Sequence, residues 1–457
     1  MTETPALAII LAAGKGTRMK SDRPKVLHRL AGAPLLAHVL HAAKAAGLTR
    51  CAVVVGPGMD DVAAAATALD PKIEMFVQAE QLGTADAVKA ARRAVEEFQG
   101  HVLVLYGDTP LLMPETLHKA RAELISGADL VVIGFEAENP TGYGRLLLDD
   151  RGRLAAIREE KDASEEERAL TLCNSGIMAF RSSKTLLGLL GRIGNDNSKK
   201  EFYLTDAAAL ARGDRLEARM VLSNAEEVLG VNSRAELAEA EILMQRRLRA
   251  SVMANGATLV APETVFLSHD TRIGKDVIIE PHVVIGVRVV IEDDATIKSF
   301  CYMQDSRIGK GATVGPFARL RPGAVLAKDA HVGNFVEIKQ SEIGEGAKVN
   351  HLTYIGDTSV GARANVGAGT ITCNYDGFAK HRTEIGADAF IGSNSSLVAP
   401  VKIGEGAYIG SGSVISKDVA PDALALTRSP QEEREGWAAK MRERRKRKPK
   451  NGGNKRT

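Results

Sequence analysis

The sequence predicts a two-part fold, an α/β domain with a mostly parallel sheet followed by a parallel β-helix, and three observations predict it. Up to about Leu229, short apolar β-rich runs alternate with longer segments of helical character. After Gly256 an aliphatic residue recurs every six positions. And 457 residues exceed one ordinary core, so two domains of roughly 200 residues are expected.

In chain order, Ala6–Leu11 reads as a strand, Leu35–Ala46 as a helix and Ala52–Val55 as a second strand. Val102–Tyr106 and Leu130–Phe135 are continuous apolar runs that suit strands buried on both faces. Between Ser233 and Asn255 the pattern changes. Leu237, Ala240, Met244, Leu248 and Val252 recur at three or four residues among charges, which predicts a connecting amphipathic helix with Asn232 or Ser233 near its N-cap and Gly256 ending it.

The six-residue series runs Ile273, Ile279, Ile285, Ile291, Ile297, then Ile308, Val314, Leu320, Leu326, Val332, Ile338, then Ile343, Val349, Ile355, and finally Ile385 through Ile415. Three flat sides of six residues make one turn of a β-helix, with Gly and small residues allowing the corners. Most of this half is expected to be scaffold, so function is sought where the repeat breaks. The polar segment Cys373–Thr383 should loop out, and Lys339–Tyr354 puts Lys339, His351 and Tyr354 on otherwise bland coils. The predicted division is 1–232, a helix at 233–255, the β-helix at 256–428 and a basic tail at 429–457.

Apolar residues at 44% and charged residues at 26% exclude a disordered chain. Cys51, Cys173, Cys301 and Cys373 form no metal or redox spacing and read as free thiols. The apolar run Ala6–Ala13 is too short to span a bilayer, so no membrane span and a cytoplasmic location are expected. The tail from Lys440 lacks aromatic interleaving and reads as solvated and flexible, not as a specific nucleic-acid site.

Leu11-Ala-Ala-Gly-Lys-Gly-Thr-Arg-Met19 follows the first strand, with Pro24-Lys25 close behind. Such a turn lets backbone N–H groups approach phosphates, while Lys15, Arg18 and Lys25 supply charge. It is neither GxGxxG nor GxxxxGK[ST], so neither a Rossmann dehydrogenase nor a P-loop NTPase is indicated. Together with Gln78-Ala-Glu-Gln-Leu-Gly-Thr84, Tyr106-Gly-Asp108, Gly142-Tyr-Gly144-Arg145, Glu159, Asn174-Ser-Gly176 and Gly230-Val-Asn232, the string resembles the sugar-nucleotide pyrophosphorylases, whose nucleotidyltransferase domain is Rossmann-like. With the hexapeptide half added, nearly the whole chain is similar to a bacterial bifunctional family. That family couples N-acetylglucosamine-1-phosphate uridyltransferase to glucosamine-1-phosphate N-acetyltransferase, on a left-handed β-helix.

The resemblance implies that N-acetylglucosamine 1-phosphate attacks the α-phosphorus of UTP, giving UDP-N-acetylglucosamine for cell-wall and lipopolysaccharide precursors. It implies Mg2+ on Asp108 and Asn232, Arg18 and Lys25 on the triphosphate, and Gln78, Gly83 and Thr84 on uracil. Leu11, Ala12, Ala13, Gly14, Tyr106 and Gly107 would complete the nucleotide site, and Gly144, Glu159 and Asn174 would contact sugar or ribose. Asp86 departs from the family's usual Gly-His-Ala after Gly-Thr. A phosphate monoester is already largely ionised at neutral pH, so this reaction requires no side-chain base.

Acetyl transfer does require one, because the amine of glucosamine 1-phosphate is mostly protonated, and His suits the task. By resemblance His351 is that base. Arg321, Lys339, Tyr354, Asn365 and Lys380 would hold the sugar phosphate, and Ala368, Asn374, Tyr375, Ser393, Ser411 and Arg428 would line the acetyl-CoA groove. The hexapeptide half resembles acyltransferases that are trimers, which implies a homotrimer here. A glucose-1-phosphate adenylyltransferase is the rival within the class, but it has no need of His351 or the Asn374-Tyr375 loop. A β-helix that only trimerises, or that acts on another amino sugar, remains open at this level.

Overall fold

The run Ala6–Leu11 is the centre of a nine-stranded sheet in the computed structural model, which describes residues 4–447. Its flanks are His101–Tyr106 on one side and Arg50–Val55 on the other, both parallel to it. Glu74–Val77 follows Arg50–Val55 at one edge. Beyond His101–Tyr106 come Leu172–Phe180, antiparallel to both neighbours, then Leu130–Glu136 and Ala218–Leu222. All six residues of Ala6–Leu11 are buried, alternating between two apolar clusters on the two faces of the sheet. Continuous apolarity thus follows from cover on both faces.

The predicted strands are present, with Val102–Tyr106 and Leu130–Phe135 each extended by one residue, and the helix is Leu35–Ala45. Because the chain leaves Ala6–Leu11 toward one side and later returns to its other side, the order reverses there. The carboxyl ends of Ala6–Leu11 and His101–Tyr106 therefore flank a topological switch point, where open α/β sheets bind ligands.

The helix read between Ser233 and Asn255 spans Arg234–Ala254, with the Ser233 hydroxyl accepting from the Glu236 N–H at 3.3 Å and Gly256 left-handed after its end. Leu237, Ala240 and Met244 pack with Leu30, Leu35, Leu111 and Val231. Gln245, which the apolar pattern does not mark, is buried and bonds both the carbonyl and the N–H of Leu267 at 2.7 and 2.8 Å. This helix belongs to the first of two compact units, which extends to Ile273 and includes Val284–Val289.

The second unit comprises Gly274–Val283 and the described residues from Val290 onward. Short strands stack into three parallel sheets; one coil takes 17 or 18 residues, as in Ile297, Val314, Val332, Val349 and Val366. From Ile279 to Ile415 the six-residue aliphatics are all buried. The glycine after the aliphatic differs from expectation. Gly344 and Gly386 are not left-handed, but a Cβ there would stand 2.7 and 2.5 Å from backbone nitrogens of the next coil. Close stacking demands those glycines, while the left-handed corners fall elsewhere, often on Asp, as at Asp276, Asp294 and Asp388.

Residues 374–382 loop out between Ile371–Cys373 and Thr383–Ile385. The tail is not coil throughout: Trp437–Arg447 is helical, a run of strong helix formers with its described side chains exposed. The remainder, 448–457, lies outside the described residues. The four cysteines are unpaired.

Candidate functional site

At the switch point lies a cavity of about 300 Å³ lined by Leu11, Ala12, Ala13, Gly14, Lys25, Gln78, Gly83, Thr84, Tyr106 and Asp108. A second, of about 280 Å³, shares Tyr106 and Asp108 and adds Arg18 and Asn232. The turn after Ala6–Leu11 is held close to the chain that follows. Gly16 is left-handed, and a Cβ there would stand 2.6 Å from the Cβ of Lys25, so only glycine fits.

Lys25 forms an ion pair with Asp108 and donates at 2.9 Å to the Asn232 Oδ1. Two oxygen donors from distant parts of the chain thus converge on one cationic centre. Asn232 is itself positioned: its N–H donates at 2.7 Å to the Glu236 carboxylate, whose own N–H is capped by Ser233. Among the described residues no group of three or more His, Cys, Asp or Glu could hold a metal. A hard cation here would have Asp108 and Asn232 from the protein and would need phosphate and water oxygens for the rest.

Gly107 closes the strand end by donating to the Leu11 carbonyl at 2.9 Å. Gly144, Glu159 and Asn174 line neither cavity. Gly144 and Asn174 are paired strand residues, and the Asn174 Oδ1 accepts from the Gly176 N–H at 3.0 Å. Glu159 accepts from Thr205 at 3.1 Å, and burial raises its proton affinity. Burial likewise pushes the Tyr106 phenol up, with Glu159 and then Asp108 adding to it. Gln81 and Glu201 line the first cavity, and Thr141, Tyr143, Ser175 and Glu236 the second; the motif strings do not single out their roles. Ser233-x-x-Glu236 is a capping signature that could have exposed Glu236.

In the β-helix, Arg319, Glu337, Tyr354 and Ile371 are in register on successive coils, with Arg321 and Lys339 beside them. Arg321 donates to Glu337 at 2.8 Å. Lys380 comes from the inserted loop, and its ammonium beside Lys339, followed by burial, pushes the Lys339 ammonium down. Asn374 reaches the Tyr354 hydroxyl at 3.4 Å and also bonds Asp357. The loop is a closed hairpin: Asp376 accepts from the Phe378 and Ala379 N–H groups and from His381 at 2.7–2.8 Å, which holds its carboxyl well below the usual range, Ala379 first. Two ammoniums and a guanidinium on neighbouring positions suit a phosphate. Asn365 sits on a different sheet, in register with Lys348 and Phe390.

His351 is exposed at the end of Lys348–His351, and its Nδ1 lies 2.7 Å from the Asn334 Oδ1 one coil earlier. A carbonyl oxygen there fixes the neutral ring with its proton on Nδ1, leaving the Nε2 lone pair as base. Ala368, Ser393 and Ser411 stack at equivalent positions of three coils. The Ala368 carbonyl accepts from Asn394, the Ser393 carbonyl from Gly412 and the Ser411 carbonyl from the Arg428 guanidinium at 2.8 Å. Tyr375 is exposed at the loop's base, where it bridges to Lys380.

Comparison with known proteins matches a MobA-like NTP transferase domain to residues 8–171 and a bacterial transferase hexapeptide of six repeats to residues 382–417. The "Bifunctional protein GlmU" of Azorhizobium caulinodans is 58% identical over 442 residues, 97% of this chain and 98% of its own length. The protein of that name from Xanthobacter autotrophicus gives the same identity and coverage, and one from a Bradyrhizobium species is 56% identical with equal coverage.

Proposed function

Since the chain belongs to the GlmU family of bifunctional proteins, we propose that its two transferase activities divide between residues 1–232 and residues 256–428, the latter a left-handed β-helix. The first half uridylates N-acetylglucosamine 1-phosphate with UTP, releasing pyrophosphate. The second acetylates glucosamine 1-phosphate with acetyl-CoA, supplying that substrate. The observation that carries the reading is the convergence of Asp108, Asn232 and Lys25 at the switch point of the sheet.

In the uridyl half the sugar phosphate's own oxygen attacks the α-phosphorus, and the chain's task is positioning and neutralisation. Backbone groups of Leu11 to Gly14 and the Arg18 and Lys25 side chains hold the phosphates. Mg2+ on Asp108 and Asn232 would supply further charge neutralisation. The family resemblance assigns Gly144, Glu159 and Asn174 to the sugar and ribose, beside rather than within the two cavities. In the acetyl half, His351 Nε2 takes the proton from the amine as it attacks the thioester carbonyl, while Arg321, Lys339 and Lys380 hold the phosphate. Tyr354 and Asn365 orient the sugar, and Asn374, Tyr375 and the Ala368, Ser393, Ser411 and Arg428 row carry acetyl-CoA.

A homotrimer is supported by an apolar edge on the β-helix. His282, Phe300, Phe317 and Phe335 stack ring on ring at 4.8–5.1 Å, and the three phenylalanines are about half exposed. A ladder of this length is what a second copy would cover. UTP and acetyl-CoA as co-substrates support a cytoplasmic enzyme, and no helix among the described residues is long and apolar enough to cross a membrane.

The test supplies magnesium, UTP, glucosamine 1-phosphate and acetyl-CoA, omitting each in turn, and follows thiol, pyrophosphate and UDP-N-acetylglucosamine. Thiol release without UTP, and pyrophosphate release that depends on the acetylated sugar, are the expected results. Pyrophosphate from preformed N-acetylglucosamine 1-phosphate with no thiol release would reduce the β-helix to a scaffold or to an acyltransferase for another amine.

A further inference from the structure

Gln78 follows the edge strand Glu74–Val77, its backbone N–H bonded to the Val55 carbonyl at 2.9 Å, and the residue is 5% exposed in the wall of the nucleotide cavity. One end of its amide faces two groups at once, the Gly83 carbonyl at 3.1 Å and the Asp86 carboxylate at 2.8 Å. A peptide carbonyl and a carboxylate only accept hydrogen bonds, so that end is the NH2 and the amide cannot turn over. Both its donors are consumed by the protein. Of the amide's own polar groups, the carbonyl oxygen is the one left for a ligand.

We propose that Asp86 is a positioning residue for base selection: by locking the Gln78 amide it presents the uridyl site with an acceptor and no donor. Uracil offers an N3–H donor to such a group. Cytosine offers the N3 lone pair, which an acceptor repels. Without Asp86 only the Gly83 carbonyl at 3.1 Å still holds the NH2, so turning the amide to donate to cytosine costs one charge-assisted hydrogen bond less. Asp86 lies in the first turn of the helix Thr84–Ala90. The inference rests on the uridyl-transfer reading above.

Steady-state rates with UTP and CTP, each with N-acetylglucosamine 1-phosphate and magnesium, are compared for the full-length protein and Asp86→Ala. The ratio of kcat/KM for UTP over CTP is expected to fall about tenfold in the variant, through KM, as for loss of one charge-assisted hydrogen bond. Asp86 as a merely structural group would lower both rates together and leave the ratio unchanged, which overturns the inference. A wild-type protein that transfers no uridyl group, or does not prefer UTP, refutes the functional reading instead. Should Asp86→Ala fail to fold, the wild-type structure with UTP decides. Gln78 Oε1 against uracil N3 with Asp86 on Nε2 supports the inference, and uracil held by other groups refutes it.

Discussion

Asn334→Ala isolates what orientation contributes to the acetyl-transfer base. The substitution removes the oxygen that the His351 Nδ1–H meets at 2.7 Å and touches no other predicted substrate contact. Because His351 is exposed, water can replace the lost partner, so no buried orphan is created and the cost is that of one net hydrogen bond, about 1 kcal/mol. The freed ring also divides between two tautomers, only one of which keeps a lone pair on Nε2. Together these place the loss in kcat at about tenfold. His351→Ala, which removes the base, should cost about 10²–10⁴-fold. Both are read as thiol release at saturating acetyl-CoA, divided by uridyl transfer in the same preparation. The second activity of the same chain serves as the internal standard for concentration and folding. An unchanged ratio in Asn334→Ala refutes the orienting role, and a loss as large as that of His351→Ala shows that Asn334 acts on the substrates directly.

Asp108→Asn should lower uridyl transfer by about 10²–10³-fold through loss of charge at the metal position while acetyl transfer persists; equal loss of both activities would mean misfolding. Lys339, whose ammonium is pushed down chiefly by Lys380, should bind the sugar phosphate best when charged. As pH rises through its lowered pKa the KM for glucosamine 1-phosphate should climb, and Lys339→Arg should flatten that limb. His38 donates to the Leu30 carbonyl at 2.8 Å, and burial lowers its pKa to about 4. Since the neutral form is the one the fold accepts, its contribution is full above about pH 6.5 and is lost as pH falls toward 4, about 3 kcal/mol in all. Urea midpoints at neutral and acid pH, compared with those of His38→Gln, should show the smaller acid loss in the variant.

The two halves were legible to different depths for different reasons. In the β-helix a strict interior repeat reveals the scaffold, because every coil must fill the same core with one aliphatic per side. The same regularity leaves the exterior free, so nothing in the period distinguishes Asn334 from any other outward polar residue. Its relation to His351 is nevertheless contained in the period. Once a coil is 17 or 18 residues, the position 17 before a candidate base is its neighbour, and the register of the strands pairs those two residues. The glycine after each aliphatic misled for a related cause: sequence shows that Cβ is absent but not whether a corner or the next coil forbids it.

In the α/β half the strands and the phosphate turn are local patterns, and Ala6–Leu11 follows directly from its apolarity. The site is not local. Lys25 meets Asp108 across 83 residues and Asn232 across 207, contacts created only by the crossover order of the sheet. No spacing rule generates them, which is why resemblance identified these residues and geometry had to show what each one touches. Asp86 marks the limit of that route. The family motif supplies an expectation of histidine there, and only the hydrogen bond to Gln78 reveals that this chain places an acidic group where it decides which way an amide faces.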